Sequence, residues 1–311
     1  MFITLTLNPA VDQTLAVDGD LALGKVHAVR AETRTPGGKG VNVAKMLAAN
    51  GKPVIAAGLL GEDQLAFYNS TLAPLGVGCR FLPVPFPTRT NLMLTDDHGR
   101  EMKLNRPGFP DLAFDESVLS VYIRSLATPG KVIILSGSLP ARFPADTYAR
   151  LIRRCHDKGC ITVIDTSGPA LAAAWAEKPE VIKPNRKELE SVLGRSLTSD
   201  PAIHATLGKL MESHEAVIFS DGARGAWFAS RGKIIFAESP EVPRVDTTGA
   251  GDTLLGQFCA DYFPARLLTP EIAARAVAAG AAAVEQRGTP IISLQRVLEL
   301  AKRVVPVSSV P

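Results

Sequence analysis

Val132-Ile133-Ile134-Leu135-Ser136-Gly137-Ser138-Leu139-Pro140 is the segment on which the fold turns. Four large aliphatic side chains in a row leave no polar face, so the segment predicts a strand covered by protein on both sides. The small residues and proline after it end the strand in a turn. Downstream the rhythm repeats. A helix is expected over about residues 145–158, then a strand at Cys160-Ile161-Thr162-Val163-Ile164-Asp165. Val181-Ile182-Lys183 leads into Pro184-Asn185-Arg186-Lys187-Glu188, which opens another helix, and Ala216-Val217-Ile218-Phe219 runs into Ser220-Asp221-Gly222-Ala223-Arg224-Gly225. Apolar strands alternating with helices predict an α/β fold, a doubly wound and mostly parallel sheet with helices on both faces. Ser136, Asp165, Asn185 and Ser220 each follow a strand, where an open α/β sheet places its ligand site.

Upstream, residues 2–7 read as a first strand, ended by Asn8-Pro9-Ala10. A dinucleotide-binding fold would carry a glycine fingerprint at that point, and its absence argues against a nicotinamide enzyme. Asp12 lies just past the strand end, as a ligand contact or a turn aspartate. Residues 14–35 alternate in short pieces and predict antiparallel strands. Pro36-Gly37-Gly38-Lys39-Gly40-Val41-Asn42-Val43-Ala44 is a glycine-rich turn feeding a helix that ends at Gly51, with Lys39 and Asn42 in the first turn. The spacing of a Walker A loop is missing. A strand over 53–58 and a helix over 63–72 follow. Thr90–Thr95 and Arg100–Asn105, joined by Asp96-Asp97-His98-Gly99, predict a hairpin. With residues 14–35 the hairpin forms a small sheet inserted between βα units, in the position of a lid. The expected organisation is one domain over 1–311, its lid built from about 12–35 and 87–107.

Toward the C-terminus the strand-like Val242-Pro243-Arg244-Val245 precedes Asp246-Thr247-Thr248-Gly249-Ala250-Gly251-Asp252-Thr253. Leu254, Leu255, Phe258, Cys259 and Tyr262 then recur at helical spacing. Small residues at a helix start let an anion approach the free amides of the first turn, where the helix dipole favours negative charge. Asp252 there is either a helix cap or the general base for an attacking hydroxyl beside bound phosphate. Helices over about 271–285 and 294–304 close the chain.

Composition narrows the function. Of 311 residues 46% are hydrophobic and 21% charged, which suits a globular protein with a large core. The net charge is +3 with no basic run, so nucleic acid is not a partner to expect. Cys79, Cys155, Cys160 and Cys259 form no metal-binding spacing. No signal peptide, membrane span or internal repeat is evident, and a cytoplasmic protein without membrane contact is expected.

In order and spacing these motifs resemble the ribokinase-like sugar kinases, and among them the phosphofructokinase-B branch that acts on sugar phosphates. The similarity runs from Thr6-Leu7-Asn8-Pro9-Ala10 to Gly288-Thr289. It is carried by the Pro36–Ala44 stretch, Thr88-Arg89-Thr90-Asn91, Ser136-Gly137-Ser138-Leu139-Pro140, Lys183-Pro184-Asn185 with Lys187-Glu188, Ser220-Asp221-Gly222 and the 246–253 octapeptide.

The resemblance implies roles. Asp252 would be the base, with the amides of Gly249, Ala250 and Gly251 as anion hole. Asp12, Gly38, Lys39 and Asn42 would contact sugar hydroxyls, with Ser136 on the same substrate side. Lys25, Arg89 and Lys103 would hold the phosphate already on the sugar. Lys183, Ser220, Gly222 and Gly225 would bind ATP, and Asn185 with Glu188 would arrange magnesium on the triphosphate. Potassium near the main-chain oxygens of Asp246 and Thr248, and a homodimer formed through the lid sheet, are further implications. Two positions depart from the usual branch pattern: Asp246-Thr247-Thr248 stands where Ser and Val are common, and Lys103 where some relatives carry Arg or no cation. The activity implied is ATP-dependent phosphorylation of a ketohexose phosphate. Fructose 1-phosphate comes first, with fructose 6-phosphate and tagatose 6-phosphate as alternatives. A non-catalytic sugar-phosphate sensor is the reading from a different class.

Overall fold

The computed structural model describes residues 1–289 and 291–309. Its strands are β1 (Phe2–Thr6), β2 (Ala10–Val17), β3 (Val29–Gly37), β4 (Val54–Gly61), β5 (Val77–Val84), β6 (Arg89–Thr95) and β7 (Glu101–Leu104) in the first half. The second half holds β8 (Val132–Ser136), β9 (Ile161–Asp165), β10 (Val181–Ile182), β11 (Ala216–Ser220), β12 (Gly225–Ser230), β13 (Lys233–Glu238) and β14 (Pro306–Ser309). Among the described residues they form a ten-stranded sheet, ordered β14-β13-β12-β11-β10-β9-β8-β1-β4-β5, and a four-stranded sheet, ordered β3-β2-β6-β7. From β11 through β5 the large sheet is parallel throughout, as the apolar strand runs predict.

Alternation along the strands separates two cores. Phe2, Val132 and Ile134 point to one face, and Ile3, Leu5, Ile133 and Leu135 to the other. The first face is covered by the helices Lys39–Ala49, Ala250–Ala265 and Pro270–Val284, the second by Glu116–Leu126, Thr147–His156 and Arg186–Leu193. On the first face two helices cross very closely. A Cβ at Gly256 would lie 2.7 Å from the Met46 Cβ, so only glycine admits this approach. That contact draws the start of Lys39–Ala49 toward the start of Ala250–Ala265.

The small sheet follows expectation in its parts. β2 and β3 pair antiparallel, β6 and β7 form the hairpin, and β2 runs parallel to β6 with Asp12 opposite Asn91. Elsewhere the structure corrects the sequence. Val242–Val245 is no strand: Pro243 has no N–H to offer a ladder, and the Val245 and Asp246 amides both donate to the Val284 carbonyl at 2.9 and 3.1 Å. The helix expected over 63–72 is a 3-10 turn, Glu62–Gln64, followed by the helix Leu65–Leu72. The antiparallel edge β12-β13-β14, strand β5 and helix Glu116–Leu126 were not anticipated. No helix of the described residues is long and apolar enough to cross a membrane.

Candidate active site

Between the small sheet and the carboxyl ends of the parallel strands lies a cleft of about 890 Å³. Its floor is the turn Thr247–Asp252 at the start of the helix Ala250–Ala265. Gly249 caps this helix with φ +77°, a left-handed conformation that glycine adopts without strain. The Ala250 amide reaches the Thr247 carbonyl at 3.4 Å and Thr253 donates to Gly249 at 2.8 Å. The Gly251 and Asp252 amides find no acceptor among the described residues. The turn therefore presents unsatisfied donors at a helix N-terminus, facing the cleft.

Asp252 is buried, and its Oδ2 accepts a hydrogen bond from Asn42 Nδ2 at 2.9 Å. Burial drives its carboxyl above the usual carboxylate range, with the charge of Asp165 adding to the push. Lys39, Asn42 and Lys183 act in the opposite direction but do not cancel it. Lys39 and Lys183 are gathered by a single carboxylate. Asp165, fully buried at the end of β9, takes Lys39 Nζ at 2.9 Å and Lys183 Nζ at 3.3 Å on the same oxygen. Burial alone would raise Asp165, yet the two ammonium groups outweigh it and hold the carboxyl below its ordinary value. Lys39 is held above its own: burial lowers it, and Asp165 and Asp252 more than compensate.

On the small-sheet side, Asp12 Oδ1 accepts from Asn91 Nδ2 at 3.0 Å, and burial raises its carboxyl. Arg89 lines the cleft, but its fork is occupied by main-chain oxygens. Nε donates to Pro9 at 3.2 Å, Nη1 to Arg106 at 2.8 Å and Nη2 to Asn8 at 3.0 Å. Lys103 crosses from β7 to the floor, its Nζ 2.6 Å from Asp246 Oδ1 and 3.1 Å from Thr248 Oγ1. The other Asp246 oxygen accepts the Gly288 amide at 2.9 Å. At the end of the cleft formed by the large sheet, Asn185 and Glu188 form a capping box that starts the helix Arg186–Leu193. Ser220, Gly222 and Gly225 line the far wall.

Most of the residues singled out from sequence thus converge on one cleft. Three stand apart from its lining. Lys25 is exposed in the loop between β2 and β3. Ser136 is fully buried below the floor with an unpartnered Oγ, because the last residue of a covered strand points into protein. Glu188 sits behind Asn185. Asp165 was placed at the ligand end of the sheet by its position after an apolar strand, but its gathering of two lysines was not foreseen. Sequence reasoning passed over Lys45, a lysine among the buried Val41, Asn42, Val43, Ala44, Met46 and Leu47.

Arg89 gives a discriminating expectation. If its fork turns to a substrate phosphate, Arg89→Ala lowers kcat/KM for the sugar phosphate about 10–200-fold and spares the unphosphorylated parent. Equal losses on both substrates would mean that Arg89 only ties the small sheet to Asn8, Pro9 and Arg106.

The sequence pattern of the pfkB family carbohydrate kinases matches residues 5–295. The chain is 35% identical to the 1-phosphofructokinase of Xanthomonas campestris pv. campestris over 264 residues, 83% of either protein. It is 32% identical to that of Vibrio cholerae over 287 residues, 92% of this chain and 90% of the other. Phosphofructokinase-2 from Escherichia coli, solved in complex with substrates and products, superposes with a TM-score of 0.89 at 27% identity, covering 97% of this chain and 98% of that one. Cleft, buried carboxylate and amide-lined turn thus belong to a fold shared along nearly the whole chain, and the protein is a member of the pfkB family of carbohydrate kinases.

Proposed function

We propose that this kinase transfers the γ-phosphoryl group of ATP to a hydroxyl of a ketohexose phosphate, with fructose 1-phosphate as the preferred acceptor and fructose 1,6-bisphosphate as product. The observation that carries the reading is Asp252, buried at the start of a helix whose first free amides face the cleft. Asn42 fixes one carboxylate oxygen and leaves the other for the acceptor hydroxyl. A raised proton affinity suits Asp252 to take that hydroxyl's proton as the bond to phosphorus forms. In this reading the amides of Gly249 and Gly251, joined by that of Ala250 when it leaves its long 3.4 Å contact with Thr247, receive the charge of the transferring group, and Lys39 and Lys183 add fixed positive charge beside it. A sensor without catalysis would have no use for this carboxylate.

The choice of fructose 1-phosphate is supported by the curated relatives named 1-phosphofructokinase. Phosphofructokinase-2 from Escherichia coli has been solved with fructose 6-phosphate, which keeps that sugar as the alternative, beside tagatose 6-phosphate. Magnesium fits as a partner of the triphosphate. Among the described residues no group of three or more His, Cys, Asp or Glu could hold an ion by itself, whereas Asn185 and Glu188 offer hard oxygens at the nucleotide end. Magnesium on ATP would neutralise charge spread over the phosphates. Potassium suits the main-chain carbonyls of Asp246 and Thr248, which accept no hydrogen bond among the described residues. Phosphofructokinase-2 from Escherichia coli has been solved in complex with potassium.

A homodimer through the small sheet is supported by Leu23, Val26, Val29, Met102 and Leu104, all exposed on that sheet or its connecting loop. A monomeric mass by light scattering would refute it. The test of function is ADP release with magnesium and ATP, with and without potassium, across fructose 1-phosphate, fructose 6-phosphate, tagatose 6-phosphate, fructose and ribose. Fructose 1-phosphate should give the highest kcat/KM. A faster rate on a free sugar would overturn the assignment.

A further inference from the structure

Lys45 is 6% exposed, on the helix Lys39–Ala49 one turn past Asn42. Its ammonium has no carboxylate within ion-pair distance among the described residues. Instead Nζ donates to the Pro36 carbonyl at 2.8 Å and the Thr289 carbonyl at 3.1 Å, with Thr289 Oγ1 at 3.5 Å. Burying a charge without a paired counter-charge is costly, so a lysine in this place calls for an explanation. The space beside it gives none: a cavity of about 10 Å³, bordered by Asn42, Thr248 and Gly249, has room for no more than a water molecule. Lys45 therefore serves no external ligand, and its charge acts within the protein.

Its partners belong to the two halves of the site. Pro36 is the penultimate residue of β3 and immediately precedes the Gly37-Gly38 turn that enters the cleft. Thr289 backs the anion-hole turn so closely that a Cβ at Gly249 would lie 3.0 Å from its Cγ2. Asn42, on the same helix, holds Asp252. We infer that Lys45 is a positioning residue for phosphoryl transfer: its buried ammonium fixes the sugar-side turn at Pro36 and the Thr289 loop behind the anion hole in one arrangement.

The inference rests on the kinase assignment above, and it supplies a readout that a merely structural contact would not move. Burial lowers the Lys45 ammonium to about 8, while Asp12 from β2 and Asp252 from the long helix pull the other way. Pro36 and Thr289 present only uncharged oxygens. Nearby Tyr68, which donates to the Gly37 carbonyl, is pushed far upward by burial, and Lys39 is also held high, so neither titrates in this window. The cation is present below its folded value and lost above it. Accordingly kcat/KM, which reports the free enzyme, should be full near pH 7 and fall as pH rises through about 8.

The experiment measures kcat/KM from pH 6.5 to 10 for wild type, Lys45→Arg and Lys45→Met, on whichever sugar the wild type phosphorylates fastest, with melting temperature as a check on folding. That choice separates the two readings: a wrong acceptor changes the sugar used and leaves the Lys45 comparison intact. Lys45→Arg, whose guanidinium keeps its proton, should lack the alkaline decline. Lys45→Met should lose about 100-fold in kcat/KM, the scale of an ångström of misplacement, with little change in KM for ATP. A flat wild-type profile would overturn the inference even if neither variant folds. So would a folded Lys45→Met with more than half the wild-type kcat/KM, or a folded Lys45→Arg that declines at the same pH as wild type.

Discussion

Asp252→Asn should lower kcat by about 10²–10⁴-fold, the usual span for removing a general base. The substitution is nearly isosteric and the asparagine still offers an oxygen to Asn42 Nδ2, so the turn keeps its shape. Because Asp252 is buried and its carboxyl already raised, replacing it with a neutral amide relieves desolvation and does not leave a hole. Melting temperature should therefore hold or rise while turnover collapses. Substrate KM values should change little. A variant with more than half of wild-type kcat would remove Asp252 from the chemistry, whatever its position in the cleft.

The second large effect belongs to the proposed anion hole. A Cβ at Gly251 would stand 3.4 Å from Lys183 Nζ, ordinary contact for alanine but crowded once branched. Gly251→Val therefore places methyl groups between the first-turn amides and the lysine that flanks them. Loss of one donor at such a site costs about 10²–10³-fold in kcat, and blocking the approach should cost at least that. The helix Ala250–Ala265 is anchored by Leu255, Phe258 and Tyr262 in the core, so the fold should survive by circular dichroism. Normal turnover in a folded Gly251→Val would mean that the phosphoryl group does not visit this turn.

How much of this was legible in the sequence follows from what each signal depends on. β8, β9 and β11 are covered on both faces, so their apolar runs have no competing reading. The β6–β7 hairpin announces itself through Asp96-Asp97-His98-Gly99, a turn whose chemistry is local. The β12–β13 hairpin carried a similar signal in Arg231-Gly232, both at positive φ, and was missed because a positive-φ arginine is uncommon in a two-residue turn. Cleft membership was legible for the residues at strand ends, since topology alone places them together.

Partner choice was not legible. Nothing near Lys103 in the chain indicates that its ammonium meets Asp246, or that Arg89 would spend its fork on Asn8, Pro9 and Arg106. Such contacts depend on distances between segments far apart in sequence, set only when the two sheets face each other. Lys45 was hidden for a related reason: a lysine in the apolar stretch of a helix reads as a charge facing solvent until Pro36 and Thr289 are seen to enclose it.

The two-sheet cleft has a stereochemical consequence. Asp12, Arg89 and Asn91 sit on strands of the small sheet, whereas Lys183 and Asn185 follow a strand of the large one and Ser220 ends another. In the proposed reading, acceptor and nucleotide are read by separate bodies across a shared gap, with the floor turn between them. In the proposed reaction Asp252 takes the proton of the acceptor hydroxyl, and the transfer needs no phosphoryl-enzyme. The oxygen that attacks must approach phosphorus opposite the departing ADP. A single displacement of this kind inverts the configuration at phosphorus, so ATP made chiral at its γ-phosphorus should yield product of the opposite hand, and retention would mean two displacements through a covalent phosphoryl-enzyme.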